Sequence, residues 1–132
     1  MTRIDSVEVD CPKCGSTGKA IIFDSVNVTL NPESKKDLLV GKLNLFKCTK
    51  CSHEALLDTP LLYHDMDNEF LVQYVPLHRI EDDHFSSWFT TDGQFNLPRI
   101  GPEPEYFRHV HIVFSMDELA RYVIFRDRLS RR

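Results

Sequence analysis

Two cysteine pairs constrain this chain more than any other feature: Cys11-Pro12-Lys13-Cys14 and Cys48-Thr49-Lys50-Cys51. In a C-x-x-C turn both sulfurs point at one centre while the backbone N–H groups that follow donate to them. Gly15 after the first pair suits the left-handed backbone such a turn needs, and Ser52 takes the matching place in the second. Two turns of this kind supply the four soft ligands of a tetrahedral, all-cysteine zinc site, one ion per chain on Cys11, Cys14, Cys48 and Cys51. A closed shell of four thiolates leaves no position for water or substrate, which makes the expected ion structural. An iron–sulfur site would use the same sulfurs. A redox C-x-x-C normally stands alone before a helix, whereas this chain has two, with strand-like flanks.

The spacing carries a second message. Thirty-three residues separate Cys14 from Cys48, against about 15–20 in a simple ribbon, so a folded insertion is expected between the turns. From Lys19 to Leu30 the residues are β-rich, with Val26, Val28 and Leu30 alternating against Asn27 and Thr29. Asn31 offers a helix N-cap and Pro32 a first helical position. A short helix closing near Gly41 would turn Leu38, Leu39 and the stem of Lys35 inward, and Leu43 to Lys47 would return as a strand to the second pair.

These residues resemble the CpXC domain of bacteria and archaea. The likeness rests on Cys11-Pro12-Lys13-Cys14-Gly15, the run from Asp24 to Pro32, the second cysteine pair, and the block Pro60-Leu61-Leu62-Tyr63-His64-Asp65-Met66. It is strongest from about residue 8 to residue 77 and looser toward the C-terminus. Thr49 stands where the family's second turn has proline, and Ser52 where it has glycine; neither change removes a ligand. The resemblance implies a metal-binding domain and supplies no reaction.

After the second pair, His53 to Asp58 and Leu61 to Tyr63 read as strand interrupted at Pro60. A polar turn at Asp65 to Asn68 leads into Glu69 to Val75, which makes a hairpin. His84 to Thr91 suggests one helix around Trp88 and Phe89, and Pro98, Pro102 and Pro104 mark irregular chain. Arg108 to Phe114 reads as a strand with Val110, Ile112 and Phe114 on one face. Ser115-Met116-Asp117-Glu118 is a capping box opening a helix to about Leu129. The expected fold is therefore α+β: an antiparallel zinc-ribbon-like sheet with a helical insertion and a C-terminal strand–helix unit. It forms one domain over 1–132, with a ribbon core at 1–77, an acidic, proline-containing segment at 78–106, and the strand–helix unit at 107–132.

Function is less legible. No apolar run reaches the ~18–20 residues of a membrane span, and the first ten residues lack the apolar stretch of a signal peptide, so a cytoplasmic location is expected. A net charge of -4 argues against a nucleic-acid footprint over the whole surface. Lys13, Lys19, Lys47 and Lys50 near the cysteine turns, and Arg121, Arg126, Arg128, Arg131 and Arg132 on the last helix, keep a nucleic-acid-binding ribbon as an alternative. A metal-dependent hydrolase would use His64, Asp65, Asp67 and Glu69, with His78 and His84; acidic and amide residues also populate turns for backbone reasons alone. His109 and His111 would share a strand face and meet a metal there; without a spaced third ligand the expected place for both is solvent, opposite Val110 and Ile112. On the last helix, Met116, Leu119, Ala120, Val123 and Ile124 form a core stripe, while Tyr122, Phe125 and Leu129 form a second arc suited to self-association or a protein partner. The leading expectation is a zinc-stabilised binding or adaptor module without catalysis.

Overall fold

The computed structural model describes residues 2–81, 85–95 and 103–131. A long antiparallel hairpin opens the fold, β1 (Arg3–Asp10) against β2 (Thr17–Asn27), with the first cysteine turn at its tip. A strand before Cys11 goes beyond what the sequence leads one to expect. Val7 and Val9 carry its signal, alternating with polar residues and packing half-buried beneath the turn. A shorter hairpin, β3 (Leu45–Lys47) against β4 (Glu54–Leu56), carries the second turn in the same way. Each cysteine pair thus closes its own hairpin, and the two tips meet.

The larger sheet departs from the expected architecture. Its order is β1-β2-β5-β6-β7, with β5 (Leu61–Asp65), β6 (Phe70–Tyr74) and β7 (His111–Val113). The β5/β6 hairpin is antiparallel as read, but β2 pairs with β5, and β6 with β7, in parallel. The sheet is mixed, not antiparallel. Parallel neighbours require long crossovers, and the two long intervals of the chain provide them: the insertion with its cysteine hairpin between β2 and β5, and the proline-containing segment between β6 and β7. Local alternation reports that a stretch is extended; it carries no record of which neighbour it will find.

Register assigns the two faces. Val26, Tyr63 and Val72 line up across three strands, with Leu61, Phe70, Tyr74 and Val113 on the same side. Helices α1 (Pro32–Leu39) and α2 (Met116–Ser130) cover this face through Leu38, Leu119 and Val123, and a Lys35–Asp127 ion pair at 2.8 Å ties one helix to the other. On the opposite face Leu71, Gln73 and Val75 are buried, and Trp88 and Phe95, from the chain between β6 and β7, stand against Gln73 and Val75. That double cover explains why all five residues of β6 are buried.

The helices match the expected caps in position more than in bonding. Ser115 caps α2 by accepting a hydrogen bond from the Glu118 N–H, as the capping box requires. Pro32 begins α1, but the Asn31 side chain caps nothing; its carbonyl oxygen accepts instead from the Thr2 hydroxyl. Leu38 is buried whereas Leu39 is exposed, so only one of the two leucines turns inward. On α2, Ile124 is exposed, and Tyr122 packs against the core rather than standing in a separate arc. Phe85–Trp88 forms a 3-10 turn instead of part of a longer helix, and Pro104 precedes another at Glu105–Arg108. His84, Pro98 and Pro102 lie outside the described residues.

Asn44 joins the small hairpin to the large sheet. Buried and held at φ 56°, it accepts from the Phe23 N–H at 2.7 Å and donates to the Phe23 carbonyl at 3.2 Å, as a neighbouring strand would. Its own carbonyl accepts from the Leu57 N–H. One side chain thereby satisfies both backbone groups of Phe23 on the edge of β2 away from β1, which β5 reaches only from Ser25 onward.

Candidate metal centre

The two cysteine turns are copies of one another. In the first, the Cys11 N–H donates to the Ser16 carbonyl and the Gly15 N–H to the Cys11 carbonyl; in the second, Cys48 and His53, then Ser52 and Cys48, make the same bonds. Gly15 sits at φ 77° and Ser52 at φ 62°. The left-handed position expected at both places is present, and at Ser52 it is held against the intrinsic preference of a residue with a Cβ.

Across the hairpins the sulfurs converge. Cys11 Sγ lies 3.5 Å from Cys51 Sγ, Cys14 Sγ lies 3.6 Å from Cys48 Sγ, and all four fall within 4.8 Å of one another. A tetrahedral ion with metal–sulfur bonds of about 2.3 Å places its sulfurs about 3.8 Å apart, so the four sulfurs fit such an ion with small adjustments. All four cysteines are free thiols. Cys11 and Cys48 are buried, Cys51 is half-buried, and Cys14 is exposed at the rim.

Beneath the sulfurs is a small core of its own. Cys11, Cys48, Ala20 and Phe46 pack together, with Val7, Val9, Cys51 and Leu57 around them. The Phe46 ring, 1% exposed, fits because residue 18 is glycine: a Cβ there would stand 3.1 Å from the ring.

Hydrogen bonds to the sulfurs favour the ionised form that a metal needs. The Ser16 hydroxyl, then the Cys51 and Lys50 N–H groups, bring the Cys48 thiol down to about 5. Ser16 lowers Cys14 as well, through its hydroxyl and its backbone. Cys51 accepts from the His53 N–H, but burial and the crowding of the other three thiols outweigh that bond and push it up to about 12.

A family model for CpXC proteins matches residues 9–132. The chain belongs to the CpXC family. The match takes in the C-terminal strand–helix unit of this CpXC chain, where the resemblance in sequence was loosest. No curated protein and no solved structure matches it.

The other candidate residues of this CpXC protein are placed apart. His64 and Asp65 are neighbours on β5 and point to opposite faces. His64 Nε2 meets the Tyr106 hydroxyl at 2.6 Å, and burial lowers its pKa. Asp65 is buried in the hairpin turn, accepting from the Asn68 N–H and side-chain amide, each at 3.0 Å. Asp67 and Glu69 are exposed in the same turn, Glu69 at φ 53°. His78 pairs with Asp58 at 2.9 Å, and Asp58 also accepts from the Tyr74 hydroxyl. His109 ends the 3-10 turn before β7, so it does not share a strand face with His111. His111 does not stand opposite the packed side: its ring stacks on Tyr122 with centroids 4.0 Å apart and planes 5° from parallel. Among the described residues, the four cysteines are the one group of three or more such side chains gathered closely enough to hold a metal ion.

Sequence reasoning passed over Ser16, Asn44 and Phe46, which complete the centre. For Ser16 the available signal was a hydroxyl two positions after the second cysteine of a C-x-x-C turn. For Asn44 and Phe46 there was none, because their partners Phe23 and Gly18 lie on the other side of the insertion.

Proposed function

We propose that this chain holds one structural zinc ion on Cys11, Cys14, Cys48 and Cys51 and acts as a non-catalytic binding or adaptor module. The observation that carries this reading is the convergence of four sulfurs, two from each hairpin, into a set that saturates a tetrahedral ion. Thiolates at this softness and geometry suit zinc, and a saturated ion fastens hairpins rather than activating water. No helix among the described residues is long and apolar enough to cross a membrane, and a reducing cytoplasm would keep the thiols available.

The contact surface of the module is the exposed side of α2. Ile124, Phe125 and Leu129 are 47%, 53% and 41% exposed, a cluster large enough to favour a partner. Arg121 and Arg128 flank it, exposed and able to form a polar rim. The simplest occupant is a second copy of the chain, apolar against apolar. Light scattering is expected to give a dimer for the wild type and a folded monomer for Phe125→Glu, with the melting temperature dependent on concentration only in the wild type. A monomeric wild type at tens of micromolar would remove α2 as the self-contact surface. The nucleic-acid alternative draws on Lys13, Lys47 and Lys50, all exposed around the cysteine turns.

A further inference from the structure

The Ser16 side chain makes contacts that its loop does not require. Its hydroxyl oxygen lies 2.9 Å from Cys14 Sγ and 3.4 Å from Cys48 Sγ, so one O–H group straddles two sulfurs that come from different hairpins. The loop itself is held by the Ser16 backbone, whose carbonyl accepts from the Cys11 N–H at 2.8 Å. That bond survives any substitution of the side chain. The matching bond in the second turn is made by the carbonyl of His53, so the hydroxyl is a feature of the first turn that the fold's own repetition does not call for.

We infer that the Ser16 hydroxyl is a positioning group for the metal centre: it donates across the Cys14–Cys48 edge, retains the ion, and restrains the reactivity of the exposed Cys14 sulfur. The inference rests on the reading that the four cysteines hold zinc. Four thiolates around a divalent ion leave two negative charges on the sulfurs, and donors to those sulfurs stabilise the loaded state. A thiolate that accepts a hydrogen bond also presents less electron density to an electrophile. This matters most at Cys14, the exposed member of the set.

The test compares wild type, Ser16→Ala and Ser16→Thr, each loaded with zinc or cobalt(II). Competition with a chromophoric chelator should show Ser16→Ala binding zinc about tenfold more weakly or worse, the usual effect of removing an outer partner, with Ser16→Thr close to wild type. The cobalt–thiolate charge-transfer bands should shift in Ser16→Ala and be restored in Ser16→Thr. Iodoacetamide should alkylate Cys14 of the zinc-loaded protein faster in Ser16→Ala, as peptide mapping would locate. Equal affinity, spectra and alkylation in all three proteins would overturn the inference, as would equal losses in the alanine and threonine variants. A wild type that takes up no zinc or cobalt would instead bring down the metal reading beneath it.

Discussion

Replacing Cys48 with serine is expected to abolish stoichiometric zinc and to unfold the small hairpin. Cys48 is buried and comes from the hairpin with the least other support, three-residue strands paired only to each other within their sheet. A two-stranded hairpin is marginal alone in water, whereas structural zinc contributes on the order of 10–16 kcal/mol in small zinc-dependent peptides. The larger core rests on β5, β6, α1 and α2 and does not include the cysteines. Hydrogen exchange should therefore show loss of protection across residues 44–57, with β5 and β6 still protected, together with a lowered melting temperature. A Cys48→Ser protein with a full equivalent of zinc and unchanged melting would contradict the assignment of this ligand.

The second large effect is expected from Phe46→Ala. Truncating a fully buried phenylalanine costs about 3–5 kcal/mol. This ring packs against Gly18 and with the buried Cys11, Cys48 and Ala20, so its removal leaves a cavity beneath the sulfurs. For a chain of 132 residues that corresponds to a fall of roughly 11–18 °C in melting temperature. Because the ring supports Cys11 and Cys48 from below, zinc should also be released to a chelator more readily. Leu56→Ala, at a side chain 52% exposed on the adjacent strand, serves as the comparison and should change stability by only about 0.5 kcal/mol. Similar melting for the two variants would show that the small core does not support the centre.

The contrast between these residues and the cysteines explains what could be read from the sequence. The four-cysteine cluster was legible because metal chemistry restricts residue type and spacing within each turn, and Gly15 announced the backbone it adopts. The capping box of α2 and the β5/β6 hairpin were legible for the same reason, since their determinants lie within a few residues of one another. What failed to show was pairing at a distance. His109 and His111 are exposed, as expected, but the register of β7 against β6 sets His111 beside Val72 on the helix-covered face, where its ring meets Tyr122. The mixed sheet was hidden likewise, because a parallel partner is chosen by crossover and not by local alternation. Tyr122 looked like part of an outer arc until Phe70 and His111 supplied partners for it.

Native mass spectrometry of the purified, reduced protein tests the central claim most directly, since it counts metal and chains in one spectrum. The account predicts one zinc ion for each chain in the folded wild type, none in Cys48→Ser, and complete loss on chelation with a broadened charge-state distribution as the ribbon opens. A folded wild type that carries no metal, and whose charge states are unchanged by added zinc or by chelator, would contradict it.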